Sequence, residues 1–152
     1  MTPAIAFFFS FSFSLLLLNN KKMNYQQQFE IVEIDRDGKK FDRVSRINAT
    51  SDTLDDLVLD INTEIFPVSI ADKLNILLTA NIGADGWRVS KNSIANDYDY
   101  VCHGKVYKDE DSDAGKASLY VSFGGLLMCL SASSRQLDKF VVGTDLFLLV
   151  RK

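Results

Sequence analysis

The chain has 152 residues, enough for one domain with a substantial hydrophobic core and a short appendage. Aromatic residues make up 11%, and there are only 2 Pro and 8 Gly, which excludes a disordered or low-complexity chain. From Met23 onward 15 basic side chains stand against 20 acidic ones, so overall charge excludes a general nucleic-acid binder and any such role needs a local basic patch.

Residues 3–18 are almost wholly apolar or Ser and end in four leucines, unlike anything that follows. No positive charge precedes the apolar run and no small-residue cleavage site follows it, so it is a poor secretory signal. A transmembrane helix needs about 20 apolar residues, so as an anchor it is marginal. Three readings stand: a signal or anchor, a soluble tail, or an upstream extension of a chain that starts at Met23. Residues 1–22 are set apart from a single domain over 23–152.

Residues 29–34 form a first predicted strand, and Asp35-Arg36-Asp37-Gly38 is turn chemistry. Residues 39–47 hold Lys39, Lys40, Arg43, Arg46 and Phe41 and run into a second strand; residues 48–52 read as a polar turn. Residues 54–62 alternate Leu57, Leu59 and Ile61 with Asp56, Val58, Asp60 and Asn62, a half-buried strand. Pro67 has no N–H to donate, so residues 64–68 are a crossing segment with room for one helical turn. Residues 73–80 are a strand with Leu74, Ile76, Leu78 and Ala80 on one face. Residues 83–97 are a long loop pinned by Trp87. Residues 98–108 are a strand rich in Tyr and Val, and residues 109–115 an acidic, mobile loop.

The organising stretch is residues 119–130. Val121 and Phe123 alternate with Tyr120 and Ser122; after Gly124-Gly125, Leu126, Met128 and Leu130 alternate with Leu127 and Cys129. Period-two alternation around two glycines predicts a β-hairpin with positive φ at the turn. Both faces are largely apolar, and a small barrel has room inside for one of them. Leu126, Met128 and Leu130 are assigned to the inside and Leu127 to the outside, as a partner contact. Residues 131–139 are polar with a possible short helix, and residues 140–151 close the chain. About eight short strands with almost no helix and no internal repeat predict an all-β antiparallel barrel or sandwich.

Candidate chemistry is sparse. His103 is the one histidine and has no motif-placed nucleophile, so it reads as a partly buried strand residue. Cys102 and Cys129 form no Cys-x-x-Cys pair and read as buried free thiols rather than a disulfide. Asp55-Asp56 and Asp109-Glu110-Asp111 lack metal-loop spacing and read as solvated charge. No metal or other cofactor is expected. The cluster Lys39, Lys40, Phe41, Arg43 and Arg46 has two readings: a solvated turn, or the basic-plus-aromatic surface that single-strand binding uses.

Several segments match one family together and in order. They are residues 37–46 (Asp37-Gly38-Lys39-Lys40-Phe41-Asp42-Arg43-Val44-Ser45-Arg46), 59–62, 65–68 (Ile65-Phe66-Pro67-Val68), 98–101, 104–107, 120–128 with Leu130, and the ending Leu148-Leu149-Val150-Arg151-Lys152. On these the chain resembles the eighth subunit of eukaryotic nuclear RNA polymerases, the small subunit shared by polymerases I, II and III. The resemblance implies an eight-stranded antiparallel barrel of the oligonucleotide/oligosaccharide-binding kind. It also implies a nuclear (nucleoplasmic and nucleolar), non-catalytic subunit docked on the largest polymerase subunit, with the catalytic magnesium in other subunits and no membrane partner. It further implies weak, non-specific single-stranded DNA binding by Lys39, Lys40, Arg43 and Arg46. Tyr120, Gly124, Gly125, Leu127 and Phe66 are the candidate partner contacts. Cys129 stands where this family usually has Arg, and Cys102 and His103 where it usually has Met and Tyr. Residues 83–97 are not recognisable, and residues 1–22 have no counterpart. Two other readings are a free-standing single-strand nucleic-acid binder with this barrel and, were the leader a signal, a secreted β-barrel binding protein.

Overall fold

Alternation of inward apolar with outward, mostly polar side chains sets the strands, which close on themselves and so leave few edges. The structure is a computed structural model that describes residues 24–85, 88, 89, 91, 93–112 and 114–152; the leader and Trp87 lie outside the described residues. The strands are β1 (Tyr25–Ile34), β2 (Val44–Thr50), β3 (Asp56–Asn62), β4 (Lys73–Thr79), two-residue β5 (Ala84–Asp85) and β6 (Arg88–Val89), β7 (Tyr100–Asp111), β8 (Lys116–Phe123), β9 (Leu126–Ser133) and β10 (Asp145–Arg151). Helix is confined, among the described residues, to a 3-10 turn (Ile94–Asp97) and the single turn α1 (Ser134–Leu137).

Eight strands form a closed antiparallel barrel in the order β1-β2-β3-β9-β8-β7-β10-β4, as expected for an all-β barrel of the oligonucleotide/oligosaccharide-binding kind. The order resolves into two halves of one topology. β1, β2 and β3 follow as hairpins and β4 returns beside β1; β7, β8 and β9 do the same and β10 returns beside β7. Each half is a Greek key. The match extends to detail, at an offset of 75 residues between the first strands and 72 between their pairing partners. β1 pairs with β4 up to Glu30 and with β2 from Glu30 on; β7 pairs with β10 up to Lys105 and with β8 from Lys105 on. Each first strand is irregular just past that hand-over, between Ile31 and Glu33 and between Val106 and Lys108. Ile31 exchanges backbone bonds with Asp72 and Ala71, and Val106 with Thr144 and Gly143. This repeat is invisible in the sequence because it is carried by backbone pairing, not by residue identity.

The barrel interior holds Phe29, Ile31, Leu59, Ile76, Val121 and Met128, among others, each almost inaccessible to solvent. A second, smaller cluster lies outside the barrel wall. Leu77 of β4 and Leu149 of β10 point outward and are covered by Ile82, Ala95 and Tyr98 of the crossover between the two keys. Ser93 holds that crossover down, since its hydroxyl donates to the carbonyl of Ile82 and accepts from the N–H of Ala95.

Several expectations change. β1 starts at Tyr25, not Phe29, because Tyr25 is buried and donates its hydroxyl to the Asp55 carboxylate at 2.5 Å, and the ladder to β4 carries the polar glutamines with it. Residues 48–50 are strand rather than turn: Ala49 packs inward and Asn48 donates to Glu33. Residues 109–111 are strand rather than mobile loop, paired with β8. Ala80 lies past the end of β4 and is exposed. Residues 64–68 turn without a helix, and the loop over residues 83–97 contains β5, β6 and the 3-10 turn. His103 is exposed, stacked on Phe147 at 4.8 Å between ring centres, because its strand position points outward. Cys102 and Cys129 are free, as expected, but half-buried rather than buried.

Candidate functional site

The β1–β2 loop is shaped by two positive-φ residues, Asp35 (φ 51) and Gly38 (φ 90). The Asp35 carboxylate fastens the loop to β2 by accepting from the Ser45 hydroxyl at 2.8 Å and the Arg46 N–H at 3.0 Å. The loop stands beside the tip of the β8–β9 hairpin, whose turn needs Gly124 (φ 63) and Gly125 (φ 101). Between them lies a groove of about 490 Å³, lined by Lys40, Phe41, Arg46, Val58, Asp60 and Leu126, among others. The basic cluster and the hairpin, separate in the sequence, are therefore two walls of one site.

Its charges are largely spoken for. Arg46 grips Asp60 with two hydrogen bonds, 2.7 and 3.1 Å, and this bond to Asp60 raises its already high pKa further. Asp60 is 9% exposed, and its other lone pairs accept the Leu127 N–H at 3.0 Å. Arg43 pairs with Glu64 at 3.4 Å. Of the four predicted cations, Lys39 and Lys40 alone make no ion pair among the described residues. Phe41 beside them is 68% exposed. Asp60 escaped the sequence reading; its signal was a carboxylate at the outward position of an otherwise regular strand.

A strip of outward side chains runs from this groove across the wall. Val58 of β3 stands opposite Cys129 of β9, Cys129 opposite Tyr120 of β8, and Tyr120 lies 6.1 Å, ring to ring, from Tyr107 of β7. Leu127 sits two residues from Cys129 on the same face and is 38% exposed. The charge interaction with neighbouring Cys129, followed by their hydrogen bond, pushes the Tyr120 phenol up to about 12. The predicted facing of the hairpin holds: Val121, Phe123, Met128 and Leu130 are buried, while Leu127 points outward; Leu126 is half-buried at the groove. The strip starts at the β3–β9 junction between the two keys and runs on to β7. The other junction, β4–β10, is covered by the chain's own crossover; among the described residues no second such cluster covers this one.

Phe66 does not join the strip. It is 5% exposed, packed on Tyr100 with ring centres 5.5 Å apart, and the Lys152 ammonium lies 5.5 Å from its ring. The segment over residues 64–68 folds over a mouth of the barrel, and the core takes this ring. Phe66 is thus unavailable to a partner, and the exposed apolar side chains nearby in the chain are Ile65 and Ile70. The acidic residues also gather no metal set: no three His, Cys, Asp or Glu side chains among the described residues are grouped to hold one.

Comparison with known proteins places this barrel. The family model described as RNA polymerase Rpb8 matches residues 26–152. The chain is 38% identical over 138 residues to the DNA-directed RNA polymerases II, IV and V subunit 8B of Arabidopsis thaliana, covering 84% of this chain and 94% of that one. It is 36% identical over 137 residues to the DNA-directed RNA polymerases I, II, and III subunit rpabc3 of Dictyostelium discoideum, covering 84% and 96%. It is 34% identical over 140 residues to the corresponding RPABC3 subunit of Saccharomyces cerevisiae, covering 82% and 94%. The match runs from the first strand of the barrel to the last residue, and the chain belongs to the RNA polymerase Rpb8 family.

Proposed function

We propose that the chain is a non-catalytic subunit of nuclear DNA-directed RNA polymerases I, II and III, held on the largest subunit by the uncovered β3–β9 junction. The observation that carries this reading is the contrast between the two junctions. One is sealed by Ile82, Ala95 and Tyr98 from the same chain. From the other, Val58, Leu127, Tyr120 and Tyr107 run outward across β3, β9, β8 and β7, an apolar-aromatic strip of the composition found at interface centres. Membership in a family of polymerase subunits supplies the partner class, and the relatives' names differ in which polymerases they serve. The reading puts the chain in the nucleus, in nucleoplasm and nucleolus alike.

The test is co-purification of the tagged chain with the largest polymerase subunits. A Tyr107→Ser/Leu127→Gln variant should retain its melting temperature, because both side chains point outward, and should lose recovery by about tenfold, as truncation of interface centres does. Undiminished recovery would move the docking surface elsewhere; failure of the unaltered chain to bring down any large polymerase subunit would end the reading.

A second, lesser activity is favoured by Phe41, Lys39 and Lys40, an exposed ring next in sequence to two cations that make no ion pair among the described residues, with Lys40 and Phe41 lining the groove. These three side chains fit weak, salt-sensitive contact with single-stranded DNA. A Lys39→Ser/Lys40→Ser/Phe41→Ala variant should abolish it. Arg46 has to be left in place, since its removal would strand the buried Asp60. Binding that survives the three changes, or ignores salt, rules the patch out.

A further inference from the structure

The barrel is closed, yet one strand outruns it. β7 pairs with β10 only from Tyr100 to Lys105, while its pairing with β8 continues to Asp111. The last contact on the β10 side is at Val106, which donates to Thr144 and accepts from Gly143. Beyond it the two sides of the strand can be told apart from the ladder itself. The N–H of Ser112 donates to the Lys116 carbonyl, so Ser112 faces β8. Residues in an antiparallel ladder alternate between hydrogen-bonded and non-hydrogen-bonded pairs. Glu110 and Lys108 therefore also face β8, and the N–H and C=O groups of Asp109 and Asp111 point to the opposite, open side. Among the described residues no backbone group meets them.

This edge is peculiar to the second key. In the first, β1 stops at Ile34, two residues past Val32 at its irregularity; the equivalent of Val32 is Tyr107, and β7 runs four residues past it. Alongside the free stretch lies a groove of about 420 Å³, bounded by Asp109, Asp111, Leu119, Arg135, Leu137 and Asp138, among others. Asp109 and Asp111 share a face of the sheet with Leu119 and Ala117, opposite which they pair, and so point toward α1. Three carboxylates and one guanidinium thus surround the groove, and no ion pair joins them among the described residues.

We propose that residues 107–111 of β7 are a strand-addition site for an extended basic peptide segment of a partner protein. The incoming strand would exchange backbone hydrogen bonds with Asp109 and Asp111, and its alternate side chains would enter the groove. Those side chains must be Lys or Arg, because they meet Asp109, Asp111 and Asp138. The same charges work against a second copy of this chain: an acidic edge strand repels its own kind, which is how exposed edges are kept from self-pairing. The proposal rests on the edge alone and does not depend on how the chain docks to a polymerase.

The experiment uses the full chain and a fluorescent Lys-Val-Lys-Val-Lys-Val peptide, read by anisotropy and by amide hydrogen exchange. Saturable, salt-sensitive binding is expected, with exchange at Asp109 and Asp111 slowed about tenfold or more and exchange at Met128 unchanged. Methylating alternate backbone nitrogens of the peptide should weaken binding about tenfold, because the charges stay and the strand bonds go. Asp109→Asn/Asp111→Asn should weaken it several-fold, to a degree that shrinks with salt. Equal binding by the methylated peptide would reduce the effect to bulk charge and overturn the proposal. Equal binding by a Glu-Val repeat, protection appearing on another strand, absence of saturation, or self-association of the free chain through this edge would overturn it as well.

Discussion

Gly104 and Gly125 are both required as glycine, for unrelated reasons. A Cβ on Gly104 would stand 2.5 Å from Cδ1 of Phe123 and 2.5 Å from the carbonyl oxygen of Ser122. The ring cannot retreat without emptying its place in the core, and the carbonyl is backbone. Gly104→Ala should therefore cost about 1–3 kcal/mol, read as a melting temperature lower by several degrees. At the equivalent position in the first key stands Phe29, itself wholly buried. One key fills the interior from its first strand and the other from its hairpin. Gly125 has open space around its missing Cβ but a φ of 101°. Gly125→Val should cost a similar ~1–3 kcal/mol through backbone strain alone, and an unchanged thermal transition would refute that account of the turn. The need at Gly125 was legible in the sequence, because a turn is a local pattern. The need at Gly104 was not, since both groups that exclude a side chain lie on the neighbouring strand.

The element on which the candidate site depends is the seam between β3 and β9. Their ladder has only four pairs, from Asp56 opposite Ser131 to Leu59 opposite Met128. At the next position the Asp60 side chain replaces the missing backbone partner. It accepts the N–H of Leu127 and, through Arg46, ties β2 to the same point. Asp60→Ala should leave that N–H and the guanidinium without an acceptor. A loss of about 1–3 kcal/mol is expected, together with faster hydrogen exchange at Leu127 than at Leu130. Equal exchange at the two amides would mean the seam does not depend on the carboxylate. The same seam explains what the sequence conveyed and what it withheld. Strands with clean alternation, β3, β8 and β9, were legible, as was the outward direction of Leu127. The start of β1 was hidden because Gln26, Gln27 and Gln28 carry no apolar pattern, and the end of β7 because its three acidic residues, Asp109, Glu110 and Asp111, read as loop. The pairing of Arg46 with Asp60 was hidden because cross-strand register is not written in either strand alone. A cluster of four cations consequently looked more open to nucleic acid than the folded site is.

At the scale of the whole molecule, the two keys place a tyrosine at the same point, Tyr25 at the start of β1 and Tyr100 at the start of β7. Each phenol is buried near one end of β3. Tyr25 donates to Asp55 just before that strand, and Tyr100 accepts the N–H of Asn62 at its far end, 3.3 Å away. Opposite mouths of the barrel are thus each latched by one phenol. Burial is the chief cause that raises both pKa values well above the ordinary tyrosine value, helped by Asp55 for Tyr25 and by a hydrogen bond with Cys102 for Tyr100. The sign of the consequence follows from linkage. Below the unfolded-state value of about 10 both states keep the proton and stability is unaffected. Above it the unfolded chain releases the proton while the folded chain holds it, so stability falls as pH rises. Each phenol contributes a slope approaching 1.4 kcal/mol per pH unit, about the worth of one pKa unit. Denaturant unfolding at pH 9, 10 and 11 should show this steep loss in the unaltered chain. The Tyr25→Phe/Tyr100→Phe variant should start from lower stability at pH 7, because the Asp55 carboxylate loses its donor, and should then lose little more up to pH 11 beyond what the remaining groups contribute. Parallel curves for the two proteins would show that the latches do not titrate, and would remove the buried phenols from any account of the barrel's closure.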